Sequence, residues 1–336
     1  MENSRAYCTY FDSGYLSRGL VLIESLREYG DNSPVWVLAL DDATKGYIES
    51  AKLPGVVALT IADIEAAEPE LLPLKSQRSR MEYFFTSTPL LMRWVANQQN
   101  DPSTVVIYLD SDLYFFDNPS LVVEAMGTSS VGIIEHKYPA RLAKRLAQYG
   151  RFNVGWVGIR ADERGRACLD WWAASTLDWC YDKPEGGKYA DQGYLDRFPE
   201  KFDGVSVLQS KGFNLAPWNT GGHELAVNDG EVVVDDTDRL VFFHFHGVRH
   251  VGNWYVSSHL IYGSRLSHVL RHKVYAPYLR RLEYMNATVT AALGPAGTHK
   301  RGNGLRGVVS RLRKSTIDRV AILTGNALSL ASLERH

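Results

Sequence analysis

Apolar runs separated by short polar punctuation set the rhythm of the chain. Ala6 to Phe11 is a short β-prone run, and Asp12-Ser13-Gly14 after it is a turn signal. Tyr15 to Tyr29 places Leu16, Leu20, Ile23 and Leu26 at helical spacing, and Gly30 stops that helix. Val35 to Leu40 reads as a buried strand closed by Asp41-Asp42, Thr44 to Ala51 as a short helix and Val56 to Ile61 as a third strand. Strand and helix alternating at this interval predict a largely parallel sheet with crossover helices.

The middle of the chain continues the pattern. Glu65 to Tyr83 is polar and basic, and Pro89 to Gln98 reads as a helix. Thr104-Val105-Val106-Ile107-Tyr108-Leu109 is the strongest buried strand, and Asp110-Ser111-Asp112 ends it. Val131 to Ile134 and Val154 to Ile159 are further strands, with Lys137 to Tyr149 between them as a basic helix. Ala167 to Tyr181 is a Trp-rich helix and Asp191 to Phe198 a short one. Val205 to Gln209, Val232 to Val234 and Leu240 to Phe245 are expected to close the sheet. Beyond about residue 260 helical patterns take over, and Lys300 to Arg319 is strongly basic with Leu305, Val308, Val309, Leu312 and Val320 near one face. The expected division is an α/β domain over 1–260 and a helical, basic extension over 261–336.

Composition narrows the classes. The chain has 336 residues, 45% of them hydrophobic, which supports a packed core. A formal net charge of −1 gives no global field for nucleic acid, so nucleic-acid binding is not expected. The three cysteines are an odd number at no zinc spacing, which fits a reducing cytoplasm. No apolar stretch has signal-peptide or bilayer-spanning length. Arg306, Arg311, Arg313, Lys314 and Arg319 would let the C-terminal helix rest on an anionic membrane face, unless the helix packs on the domain instead.

Two clusters carry candidate chemistry. Asp110 and Asp112 follow a buried strand, at the carboxyl end where open α/β sheets bind ligands. Carboxylate oxygens suit Mn²⁺ or Mg²⁺, which would neutralise charge on a leaving diphosphate. Asp and Ser also end strands without any ligand. The second cluster is His244-Phe245-His246-Gly247-Val248-Arg249-His250. Its two histidines, two apart on an expected strand, share one face and suit Mn²⁺. Gly247 permits a close backbone turn, and Arg249 and His250 are placed to donate to phosphate oxygens.

These motifs resemble the nucleotide-diphospho-sugar transferases of the GT-A fold, in particular the retaining family 8 glycosyltransferases, which pair a D-x-D after a strand with a later H-x-x-G-x-x-K. The resemblance covers roughly residues 6 to 255. It implies a Rossmann-like, mainly parallel central sheet flanked by helices, and a metal held by Asp110, Asp112 and His244, with His246 as the alternate ligand. Position 250 is His where the family has Lys, so the phosphate contact is shared with Arg249. Asp12 and Tyr15 match the opening acidic loop and Tyr, which implies contacts to the base. A capped helix start would use Asp12 or Ser13 without a ligand. Phe152-Asn153-Val154-Gly155 and Asp191-Gln192 match two further segments, implying Asn153 beside the sugar, Asp191 on its hydroxyls and Gln192 beneath the anomeric carbon. The family's Arg before the D-x-D is absent, leaving Arg78 and Arg80 as candidates for the diphosphate, alongside Ser111.

The implied activity is metal-assisted transfer from a nucleotide-sugar, UDP favoured, to a glycan or glycolipid acceptor. Retention would follow a front-face route, because Gln192 is a poor nucleophile; inversion would need a base, for which Asp191 is the candidate. Trp218 and Trp254 are candidates for orienting the acceptor and excluding water. A D-x-D phosphatase would carry its motif near the N-terminus, and a sugar nucleotidyltransferase would open with a Gly-rich, Arg-containing loop that Tyr7 to Leu20 lacks. A carbohydrate-binding or scaffold protein is the non-enzymatic alternative.

Overall fold

The computed structural model describes residues 4–294 and 315–333. In chain order, β1 (Arg5–Phe11), α1 (Leu16–Glu28), β2 (Val35–Ala39), α2 (Asp42–Ala51), β3 (Val56–Thr60) and α3 (Ile61–Ala67) follow the expected alternation. Then come α4 (Arg80–Asn97), β4 (Val105–Leu109), β5 (Leu113–Phe115), α5 (Ser120–Glu124) and β6 (Val131–Glu135). The next elements are α6 (Lys144–Tyr149), β7 (Phe152–Arg160), α7 (Glu163–Asp178), α8 (Phe198–Lys201) and β8 (Val205–Val207). Short strands β9 (Leu225–Asn228), β10 (Glu231–Val234), β11 (Asp238–Arg239), β12 (Phe242–His244), β13 (Arg249–Val251) and β14 (Trp254–Val256) precede α9 (Ala276–Leu293). Helical residues 315–323 (α10), β15 (Ala327–Ser329) and α11 (Leu330–Leu333) complete the described chain.

Seven strands form the central sheet in the order β3-β2-β1-β4-β7-β6-β8. β7 alone runs against its neighbours β4 and β6; the other pairs are parallel. Alternation along β4 sends Val105, Ile107 and Leu109 to one face, with α1 and α9, and Val106 and Tyr108 to the other, with α4 and α7. All five are buried, which is why the segment reads as an unbroken apolar run.

Several expectations are corrected. α4 starts at Arg80, not Pro89: Ser79 and Glu82 form a reciprocal capping box. Pro89 lies inside that helix, whose packing against β4 and α7 outweighs the lost backbone donor. The basic helix over 137–149 shrinks to a 3₁₀ turn at Ala140–Leu142 and α6, with no buried residue to anchor a longer one. β10 does not close the main sheet but pairs with β9 and β11, and β12 pairs with β5 instead. Past residue 260 the chain is helical but returns as β15 onto β14. Arg306, Arg311, Arg313 and Lys314 lie outside the described residues, as do Leu305, Val308, Val309 and Leu312. Arg319 and Val320 are exposed on α10.

Candidate active site

β4 delivers Asp110, Ser111 and Asp112 at its carboxyl end, and β5 follows at once. β12 pairs antiparallel with β5, setting His244 opposite Leu113, and the Phe245 N–H donates to the Asp112 carbonyl at 2.9 Å. This two-stranded ribbon brings a histidine over 130 positions away onto the aspartates. His244 Nε2 lies 3.0 Å from Asp112 Oδ1 and 3.6 Å from Asp110 Oδ2. Asp110 Oδ1 accepts from the Tyr108 hydroxyl at 2.9 Å.

β7 shapes the opposite wall. Ile133 of β6 opposes Val157, but the next residue, Ile134, opposes Asn153, so Val154, Gly155 and Trp156 have no partner in β6. The bulge lets the Gly155 carbonyl accept from the Asp110 N–H at 3.0 Å. A Cβ at Gly155 would lie 2.8 Å from the His244 ring and 2.7 Å from Asn153 Oδ1, so only glycine fits there. The Asn153 amide donates to Gln192 Oε1 at 3.0 Å and its oxygen accepts from Asn214 at 2.9 Å. Gln192 is engaged at both amide atoms: its Oε1 also accepts from the Val154 N–H, and its Nε2 donates to the Tyr149 carbonyl.

The charges are interdependent. Burial opposes a proton on His244, but Asp112 and Asp110 outweigh it and raise its imidazole. Burial raises Asp110, while His244 draws Asp112 below the usual carboxylate range against its own desolvation. Asp191 is 2% exposed, and its Oδ2 has no hydrogen-bond partner. Burial, reinforced by Asp110, pushes it up to about 7.

A cation fits this donor set. One oxygen of Asp112 and one ring nitrogen each of His244 and His246 lie within 4.8 Å of one another. The 3.0 Å between Asp112 Oδ1 and His244 Nε2 matches the span of two neighbouring ligands at about 2.1 Å from one ion. The buried His244 therefore turns Nε2 toward the carboxylates. Its unpartnered Nδ1 faces Gly155.

Two chambers meet at this point. The first, about 540 Å³, is lined by Asp12, Tyr15, Arg80 and Ser111 together with the aspartates and both histidines. The second, about 350 Å³, is lined by Asn153, Asp191, Gln192 and Trp218 and shares Asp110, His244 and His246 with the first. Asp12 does not cap α1, whose N-cap Tyr15 lacks a side-chain bond; instead it accepts from Gly14 N and meets Arg80 at 3.4 Å. Tyr15 is exposed, its ring 4.6 Å from the Arg18 guanidinium.

Other candidates are not brought to the cleft. Arg78 is buried and donates to Thr86 and to the carbonyls of Thr176 and Leu177 at 2.7 and 2.6 Å, tying α4 to the end of α7. Arg249 is taken by Asp318 of α10, and His250 is exposed beside Tyr255. Gly247 turns the chain at φ +72° between His246 and those two residues. Trp254 packs in the cluster around Ala321, away from both chambers. Arg145, His136 and the tyrosines at 138, 149, 189 and 262 line the second chamber but carry no motif that the sequence could display.

These features define a class. Mixed topology around a mainly parallel sheet flanked by helices is that of the GT-A fold. A crystal structure of the galactosyltransferase LgtC, in complex with donor and acceptor sugar analogs, matches with a TM-score of 0.50 at 14% identity, over 83% of this chain and 95% of that one. No family model matches the chain. YfnF of Bacillus subtilis (strain 168) is 32% identical over 288 residues, 80% of this chain and 93% of its own length. YfnD of the same strain is 29% identical over 72% of this chain and 77% of its own length. The chain belongs to the YfnF family.

Proposed function

We propose that this protein transfers a sugar from a nucleotide-diphosphate donor, a UDP-sugar in the first instance, to a glycan or glycolipid acceptor. The observation that carries the reading is the convergence of Asp110 and Asp112 with His244 where two chambers meet. Asp112 and His244, with Asp110 and His246 beside them, would hold Mn²⁺ or Mg²⁺. Such an ion neutralises charge on a departing diphosphate. Asp12 and Tyr15 receive the base in the first chamber; Tyr15 offers its exposed ring. Arg80, only partly engaged by Asp12, is the cation for the diphosphate. In the second chamber Asn153 and Asp191 contact the sugar, and Gln192 holds Asn153 in place.

Retention by a front-face route is the reading that the resemblance supports. Inversion is favoured by one observation, the unpartnered Asp191 Oδ2 in a carboxyl group raised to about 7, a value suited to taking a proton from an acceptor hydroxyl. NMR of the first-formed product assigns its anomeric configuration and decides between them. Screening nucleotide-sugar hydrolysis with Mn²⁺ tests the activity itself. Absence of hydrolysis with every donor, together with no Mn²⁺-dependent thermal stabilisation by UDP or GDP, would leave the scaffold reading standing. No helix among the described residues is long and apolar enough to cross a membrane. Peripheral contact through the basic residues near 300–319 completes the reading for a glycolipid acceptor, and failure to sediment with anionic liposomes removes it.

A further inference from the structure

The arginines around the two chambers differ in how their charge is used. Arg78 is occupied by backbone carbonyls, Arg249 by Asp318, and Arg18 by the Val248 carbonyl at 2.8 Å. Arg141, one turn before Arg145, donates to the Tyr262 and Gly221 carbonyls at 3.3 and 3.4 Å. Arg145 is the exception. It lines the second chamber, and among the described residues it makes neither a hydrogen bond nor an ion pair. Its guanidinium rests on aromatic faces instead, 4.8 Å from the Tyr262 ring centroid and 5.9 Å from that of Tyr149. Those rings hold the side chain in place without neutralising it. Its field reaches the chamber, where it works against the burial that raises the hydroxyls of Tyr138 and Tyr262.

The rest of the wall has a matching character. Tyr138, Tyr149, Tyr189, Tyr262 and Trp218 present rings to the cavity, surfaces on which the C–H faces of a pyranose pack. His136 stacks on Tyr138 at 4.7 Å; burial lowers its imidazole to about 3, so it adds no positive charge. Asp110 and Asp191 line the same chamber and would repel an anion close to them. Among the described residues lining this chamber, Arg145 is the cation that no carboxylate pairs, and its guanidinium can bind a carboxylate or phosphate through two parallel hydrogen bonds.

We propose that the second chamber takes a sugar bearing an anionic substituent, a uronate carboxylate or a phosphate ester, and that Arg145 is the residue that selects it. This rests on the transferase reading for the chamber's role but not for its charge preference. Two sources share the chemistry: the sugar moiety of the donor, or the acceptor.

Calorimetry or saturation-transfer NMR on the full chain with Mn²⁺ and UDP, using methyl glucuronide, glucose 1-phosphate and neutral methyl glucoside, tests the acceptor side. UDP-glucuronate against UDP-glucose tests the donor side. The expected result is a preference of about tenfold for the anionic member of at least one pair. Arg145→Met, which keeps an apolar stem against the tyrosines, should erase the preference without weakening the neutral probe, and Arg145→Lys should restore part of it. Equal binding of charged and neutral probes, a preference that survives Arg145→Met, or no binding of any anionic probe at millimolar concentration overturns the proposal. UDP binding with Mn²⁺, measured separately, reports on the first chamber. Its failure would count against the transferase reading while the probe pairs still report on Arg145.

Discussion

The two chambers share the Asp110–His244 contact but are built from different material. The first draws its walls from the ends of β1 and β4 and the start of α4, in the parallel half of the sheet. Its charges are largely balanced: Arg80 faces Asp12, and Asp112 faces His244. The second is gathered from segments around 136–153, 189–192, 218, 244–246 and 262. It keeps charges in reserve: among the described residues, an Asp191 oxygen has no donor and Arg145 has no acceptor. A balanced chamber suits a ligand whose charge is met chiefly by a cation at the shared contact. One with unmatched groups gains most from a ligand that supplies the partners, because unpaired polar groups at low dielectric are costly.

The largest effect is expected at the shared contact. Asp112→Ala should lower Mn²⁺-dependent nucleotide-sugar hydrolysis by about a thousandfold and abolish Mn²⁺-dependent stabilisation by UDP, measured by initial rates and thermal melting. Retained metal dependence would break the comparison at its centre. Next comes the reserve in the second chamber. With metal removed by a chelator, Asp191→Asn should stabilise the protein by up to about 4 kcal/mol at pH 8 and by nothing at pH 3. Burial raises the folded-state Asp191 carboxyl from its ordinary value near 3.8 to about 7, so the wild-type protein loses stability as pH rises across that window and none below it. Urea denaturation at several pH values checks it.

Gly155→Ala should push the His244 ring out of place and weaken Mn²⁺ binding by about 10- to 100-fold, followed by electron paramagnetic resonance. Arg78→Ala should cost about 2 kcal/mol of folding stability and leave UDP affinity unchanged, because its guanidinium ties α4 to α7 outside both chambers. A large loss of UDP affinity with unchanged stability would move Arg78 into the first chamber. The smallest effect is expected from Tyr15→Ala, about 1 kcal/mol of UDP binding by calorimetry, since an exposed ring contributes stacking alone.

How much could be read in advance follows the same division. The β4 run, its Asp110 and Asp112, and the helix spacing of α1 are local patterns, and the structure has them where the residues put them. Asp12, Tyr15 and Arg80 sit beside strand ends and helix starts, so their place at the first chamber follows from the parallel topology. Arg78 and Arg80 look alike in sequence; two positions on a helix entrance turn one into the core and the other to the cleft. Arg249 was a phosphate candidate by spacing, but Asp318, 69 positions later, reaches it first. Arg145 carried no signal, because its meaning depends on Tyr149 and Tyr262 and on the absence of a carboxylate among the described residues around it.

The resemblance implied a distant histidine beside the aspartates; residue order alone was enough for the alternation of strands and helices, the buried central strand and the aspartates that end it. These rest on periodicity and on side-chain chemistry, which are properties of short segments. Folding decided that β12 pairs with β5 rather than extending the sheet, that a three-residue bulge in β7 sets Gly155 against His244, and which arginines remain unspent. Those outcomes depend on register and on competition between partners far apart in the chain. Neither register nor competition exists until the backbone has closed around them.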